Sequence, residues 1–340
     1  MRFRGKMYRN NELTPDFTLR FPFQLGKGID FPNITKTSKN IGRLSFSLFH
    51  QSYFYVMEIK GFESEQAAKE YFNRIWAGMV WFSLNTCIPF SAETIFGDIT
   101  YARDPEKAAK NLSDSFGIYI VGGVDGLASG DQCPLVFPSN KHIPTISVNG
   151  SISSSSHLSF NEIFTHLIQV INAPKSSEII LDSKLKTAIE LYLAHYYELT
   201  QSAKFLTLIM ALEVLFNEKP KANVALNLLN QWESELKKNK DQLNKDTDDY
   251  KSLDDLKREL CHRKKNSKRS QLRCLIYETF SSEDNVKEIE KKAVLLYDKR
   301  SVLVHKGTLP QDILNSAVND TKNLVEMIIK VKFRRTANIG

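Results

Sequence analysis

Cysteine is scarce in this chain and long apolar runs are missing, and each shortage closes off a class of protein. The four cysteines, Cys87, Cys133, Cys261 and Cys274, include no Cys-x-x-Cys pair. A disulfide-stapled scaffold and a cysteine-rich zinc module are therefore not expected, and a reducing, cytoplasmic compartment is. No stretch approaches the ~20 consecutive apolar residues that a membrane-spanning helix needs. The basic opening, Met1-Arg2-Phe3-Arg4-Gly5-Lys6, is not followed by an apolar run, so neither a signal peptide nor a membrane anchor is expected. The glycine-rich stretch 122–130 lacks the Lys-Ser/Thr ending of a P-loop and the spacing of a dinucleotide fingerprint, and is expected to be a turn-forming loop. Nothing in these patterns calls for a metal or a cofactor.

What is present is the composition of a folded protein, with 42% hydrophobic and 11% aromatic residues over 340 positions, enough to bury two cores. A net charge of +7 leans toward a polyanionic partner. Aromatic and β-branched residues mark strands at 44–49, 53–59, 117–121 and 143–148, with a helix over 64–84. Trp76 and Trp81 are assigned to the core of this half rather than to a base-stacking platform. The serine-rich segment 149–157 is read as a linker or exposed loop, and 174–177 as a further boundary. Beyond it strand signals nearly vanish. The fold class expected is thus α+β, with a mixed strand and helix domain over 1–175 and an all-α domain over 176–340.

In the second half apolar residues recur at Leu185, Ile189, Tyr192, Tyr196, Leu199, Ala203, Leu206 and Met210, in steps of three and four, predicting one long amphipathic helix. A second seam runs through Val286, Ile289, Ala293 and Leu296, and a third occupies 313–331. Between these two, Gly307 stops one helix while Thr308 and Gln311 are expected to form the capping box of the next. The polar stretch 219–270 is expected to hold a solvated helix over 226–238 and then a charged, mobile insertion.

Extending the first seam three residues past Met210 reaches Glu213, and extending the second by four past Leu296 reaches Arg300. Two helices thus each put a charge on the stripe they must bury, and the cost of an unpaired buried charge predicts that the two lie together. A salt bridge fixing helix register explains this pair by itself. It leaves no role for His305, five residues after Arg300 and about 140° further round an ideal helix. Both can border one cleft if the helix end unwinds or a second protomer supplies the opposite wall. Upstream, Lys257, Arg258, Arg263, Lys264, Lys265, Lys268, Arg269 and Arg273 surround a single acid, Glu259. That run reads either as a track for a phosphate backbone, joined by Lys306, or as a solvated helix face.

The segments Lys204-Phe205-Leu206-Thr207-Leu208-Ile209-Met210-Ala211-Leu212-Glu213 and Leu296-Tyr297-Asp298-Lys299-Arg300-Ser301-Val302-Leu303-Val304-His305-Lys306-Gly307 resemble the HEPN superfamily, particularly its Apea-like branch. Its domains are helical bundles with an arginine and a histidine, four to six residues between them, at a helix end. The resemblance covers roughly residues 181–332. It implies an endoribonuclease without a metal, a homodimer whose two motifs face one cleft, and work in toxin, abortive-infection or other anti-phage systems under a phage-derived or antitoxin protein regulator. On this reading Arg300 and His305 are catalytic, Glu213 orients Arg300, and Arg263, Lys264, Lys265, Lys268, Arg269, Arg273 and Lys306 hold RNA. Ser301 stands where many members carry Asn, Asp or His. The alternative implied by the same resemblance is a catalytically silent module that binds RNA or a protein, with residues 1–175 as the sensor.

Overall fold

In the segment Phe17-Thr18-Leu19-Arg20-Phe21-Pro22-Phe23, every second residue is bulky and apolar, the period of a strand with one face in a core. The structure, a computed structural model, describes residues 16–26, 29–30, 37–51, 54–116, 120–129, 132–144 and 156–339. In it this segment is β1 (Phe17–Leu25), the spine of an antiparallel sheet with strand order β3 (Thr37–Ile41), β4 (Leu44–Gln51), β5 (Phe54–Phe62), β1. The far edge of β1 is shared by two short partners, β6 (Phe90–Ser91) at Gln24 and Leu25 and β9 (Leu135–Pro138) at residues 17–20. Pro22, which has no N–H to give, falls between those two paired segments.

One face of the sheet presents Leu19, Phe21, Phe23, Phe46, Leu48, Met57 and Ile59, all buried. Against it pack α1 (Glu65–Thr86), capped by Ser64, and α3 (Phe160–Ile171), whose Ser159 and Glu162 form a complete capping box. The ring of Phe21 meets Phe72 edge-on with centroids 5.6 Å apart, and Phe46 meets Phe164 at 5.4 Å. Trp76 and Trp81 are buried in this layer. The helices approach so closely at Gly78 that a Cβ there would sit 2.5 Å from Leu167 Cδ2. Through the opposite face runs a buried ion pair, with Arg20 Nε donating to Glu58 Oε1 at 2.9 Å across the β1–β5 ladder.

The remaining elements of this unit are β2 (Ile29–Asp30), β7 (Ile99–Tyr101), α2 (Pro105–Phe116), β8 (Gly126–Ala128), β10 (Ser156–His157) and α4 (Glu178–Leu181). Four of the strand and loop expectations need correction. The glycine-rich loop contains β8, paired antiparallel with β7. Residues 120–121 and 143–144 are not strand, and the rest of those two expected strands lies outside the described residues. Of the expected linker, Ser156 and His157 pair parallel with β2, and 149–155 are likewise outside the described residues. The unit comprises 1–181 with 336–340, and the second unit comprises 182–335.

The second unit is helical throughout its described regular structure: α5 (Ser183–Ala194), α6 (Gln201–Val214), α7 (Asn223–Lys240), α8 (Asp248–Arg263), α9 (Lys268–Phe280), α10 (Val286–Lys306) and α11 (Gln311–Ala337). The expected single helix through Leu185 and Met210 is two. After a 3-10 turn at His195–Tyr197 the backbone extends at Glu198, and Thr200 caps α6 by accepting from the Ala203 N–H. Leu199, assigned to the seam, is exposed, and α6 buries Phe205, Leu208, Ile209 and Leu212 instead of Leu206 and Met210. The break orphans N–H groups that a straight helix would pair, and the Thr200 side chain offsets part of that cost by taking the Ala203 N–H. At the start of α11, the Leu314 N–H bonds the Pro310 carbonyl and Gln311 bonds Asn315, so Thr308 and Gln311 do not form the expected box.

The charged insertion is an ordered helical hairpin. Leu229, Leu236 and Leu260, with Leu253 against them, give α7 and α8 a small core of their own. Asp248 and Asp249 open α8 and Arg263 closes it, each charge favourable to the helix dipole.

At the break between α5 and α6 the His195 ring is buried, its Nδ1–H donating to the Tyr192 carbonyl. Burial pushes the imidazole down to about 4, against the opposing effect of that hydrogen bond. From about pH 6.5 to 4 the unfolded chain binds a proton that the folded chain refuses, so stability falls as pH drops through this window. The loss should approach roughly 3 kcal/mol. Urea midpoints followed by Trp232 fluorescence at both ends of the window should show it in wild type and far less in His195→Asn, and identical slopes would refute it.

Candidate functional site

Helix α10 buries Ala293, Leu296, Tyr297 and Leu303, and Arg300 lies in the middle of that stripe on an ideal helix projection. Glu213 flanks the buried stripe of α6, one turn beyond Ile209. The structure brings the two together, with Arg300 Nη2 3.9 Å from Glu213 Oε1 and side chains 33% and 24% exposed. This is an ion pair without a hydrogen bond. The closer partner of Glu213 is Tyr297, whose hydroxyl donates to the same Oε1 at 2.7 Å. Burial, then the bond to Glu213, pushes the Tyr297 phenol up to about 12, so it stays a donor at neutral pH.

The arrangement leaves Arg300 held but unspent. Its guanidinium lies 5.9 Å from the Tyr297 ring centroid and beside one carboxylate, and no hydrogen bond among the described residues uses its five N–H groups. Tyr297 was missed in the sequence, although it stands three residues before Arg300 on one face of one helix.

His305 is placed differently. Helix α10 runs regularly through Lys306 and closes at Gly307, whose left-handed backbone (φ +77°) lets its N–H bond the Leu303 carbonyl at 2.9 Å. The helix end does not unwind toward Arg300. His305 is exposed, one turn beyond the exposed Val302 on α10, and has no hydrogen-bond or ion-pair partner among the described residues.

The basic run separates into spent and free charges. Lys264 pairs with Glu233 and Lys265 with Glu218, while Arg269 reaches Asp298 at 2.7 Å and Arg273 reaches Glu290 at 2.9 Å. The last two join α9 to α10 on either side of Tyr297. Arg263, Lys268 and Lys306 have no carboxylate partner among the described residues, and Lys268 Nζ lies 5.9 Å from the Phe216 ring, itself 6.4 Å from that of Tyr297.

Among the described residues, no three His, Cys, Asp or Glu side chains gather as a metal-binding set, and no helix is long and apolar enough to cross a membrane. Comparison with protein-family models, curated proteins and solved structures gave no match.

Proposed function

We propose that the helical unit is a HEPN-like bundle acting as an endoribonuclease that needs no metal, with Arg300 and His305 as its reactive groups. The observation that carries this reading is the guanidinium of Arg300, held in place by its carboxylate neighbour with its hydrogen-bond donors unspent, on the same helix as an exposed, unpartnered histidine. RNA brings its own nucleophile. The 2′-oxygen attacks phosphorus while His305 takes its proton, the bond to the 5′-oxygen breaks, and a protonated imidazole supplies that oxygen with a proton. Arg300 stabilises the extra negative charge on the five-coordinate phosphorus. The products end in a 2′,3′-cyclic phosphate and a 5′-hydroxyl.

Because one rigid helix points Arg300 and His305 about 140° apart, the reading includes a homodimer in which a second copy completes each cleft. Leu295 and Val302, exposed apolar residues two turns apart on one side of α10, support an interface on that side. A toxin or anti-phage role, with residues 1–175 as sensor and a protein regulator, is what the resemblance of the motif implies.

Purified protein incubated with tRNA and total RNA in EDTA is expected to yield fragments with those ends. Activity only after divalent metal is restored would sink the scheme. The second reading, a silent module, is favoured by the Tyr297–Glu213 bond, which gives Glu213 a structural partner without catalysis. It predicts RNA retention with no cleavage.

A further inference from the structure

The carboxylate of Glu213 has two neighbours on α10, and both meet the same oxygen. The Tyr297 hydroxyl donates to Oε1 at 2.7 Å, while Arg300 Nη2 stands 3.9 Å from it. Glu213 Oε2 accepts no hydrogen bond among the described residues. An arginine and a carboxylate left to themselves close to about 2.8 Å, often through two parallel bonds that use both oxygens. This pair stops about an ångström outside even one such bond. Both side chains are mostly buried, where their attraction is stronger than in water and favours closure. Something holds the carboxylate back.

Tyr297 is placed to do so. It lies three residues before Arg300, on the neighbouring strip of the same helix surface. Its ring is buried, with the Phe216 ring centroid 6.4 Å from its own. A packed tyrosine leaves its hydroxyl little freedom, because two side-chain torsions alone place it. Helix α10 is itself anchored to α9 on either side of Tyr297, through Arg269 with Asp298 and Arg273 with Glu290. With its phenol pushed up to about 12 by burial and then by the bond to Glu213, Tyr297 stays a donor across the neutral range.

We propose that Tyr297 is a positioning residue: it holds Glu213 by one oxygen, so that the carboxylate steadies Arg300 without closing on it and the guanidinium keeps its donors for the scissile phosphate. The proposal rests on the ribonuclease reading for what those donors meet, but not for the hold on Glu213. Its consequence is the reverse of an ordinary buried hydrogen bond. Without the hydroxyl, Glu213 is free to close on Arg300, and the new ion pair offsets the lost bond in stability while tying up the group that acts on the phosphate.

Tyr297→Phe is the test, since the ring and its packing remain. Its kcat toward RNA is expected to fall roughly ten- to a hundred-fold, with KM within about threefold of wild type. Adding Glu213→Gln should restore most of that loss, because a neutral amide cannot lock a guanidinium by charge. A tyrosine with only a structural role predicts that the second change lowers activity further. In the Arg300→Ala chain, Tyr297→Phe should cost nothing more. A second measurement needs no RNA. Arg300→Ala should leave the urea midpoint unchanged in the wild-type chain, yet in Tyr297→Phe it should lower the folding equilibrium constant roughly three- to ten-fold, because the guanidinium is then the partner of Glu213. Cleavage by Tyr297→Phe within about threefold of wild type, no recovery with Glu213→Gln, or an Arg300→Ala effect on stability that is the same in both chains overturns the proposal. Wild-type cleavage without the stability coupling sinks the role of Tyr297 alone. Coupling without wild-type cleavage sinks the ribonuclease alone and leaves Tyr297 as the residue that keeps Arg300 open.

Discussion

Arg300→Ala is expected to slow RNA cleavage by roughly a hundred- to a thousand-fold while leaving the chain folded. The guanidinium is a third exposed and makes no hydrogen bond, so its removal leaves no buried donor unpaired. Glu213 keeps the Tyr297 hydroxyl as its partner. Loss of activity with an unchanged unfolding midpoint would therefore separate a chemical role from a structural one. Lysine at this position should restore little, because a point charge cannot present two parallel donors to a phosphate. His305→Ala is expected to cost about a hundred- to ten-thousand-fold with no effect on stability, since the ring is exposed and has no hydrogen-bond or ion-pair partner among the described residues. In the double variant the two losses should not add, because groups that act on one transition state fail together. Substantial turnover by His305→Ala, judged by the amount of cyclic-phosphate ends, would end the mechanism.

Glu58→Ala is expected to destabilise the first unit by about 3–5 kcal/mol, the largest stability effect of any single substitution considered for this chain. Arg20 and Glu58 are both buried in the sheet, and among the described residues the guanidinium has two acceptors, Glu58 and the Ile143 carbonyl, with none for Nη1. The Phe137 ring, 4.9 Å from its carbon, offers the charge a face but no acceptor. Without the carboxylate the cation stays in the sheet uncompensated. Urea unfolding followed by the buried Trp76 and Trp81 should report the loss. Replacing both partners, Arg20→Met with Glu58→Leu, should recover most of it, since the penalty lies in the orphaned charge rather than in the lost pair. A Glu58→Ala chain within about 1 kcal/mol of wild type would show that water reaches Arg20 and that the site is not dry.

Several elements could be read in advance because their information is local. Helix α10 follows from the spacing of Val286, Ile289, Ala293 and Leu296 and from Gly307 beyond it, and α1 follows from the helix signal over 64–84. The meeting of Glu213 with Arg300 was reached through a seam that α6 does not use. It survives because Glu213 still borders the stripe formed by Phe205, Ile209 and Leu212. The strand β1 was legible too, in the alternation of Phe17, Leu19, Phe21 and Phe23, and was passed over, as was the stop signal at Thr200 inside an apparently continuous period.

By itself the sequence determined where strands give way to helices, that Arg300 would stand on the inward stripe of α10, and that the chain would be short of acid around α9, because period, capping and composition act over one or two turns of chain. Only the tertiary structure decided which charges stay free. Glu218, Glu233 and Glu290 come from distant segments to neutralise Lys265, Lys264 and Arg273, while Lys268 and Arg263 are left beside Trp232 and Gln271. It also decided that Tyr297, not Arg300, takes the short bond to Glu213, and that a continuous helix turns His305 away from both. Such pairings depend on which side chains packing brings within a few ångströms, and spacing along one chain carries no record of that.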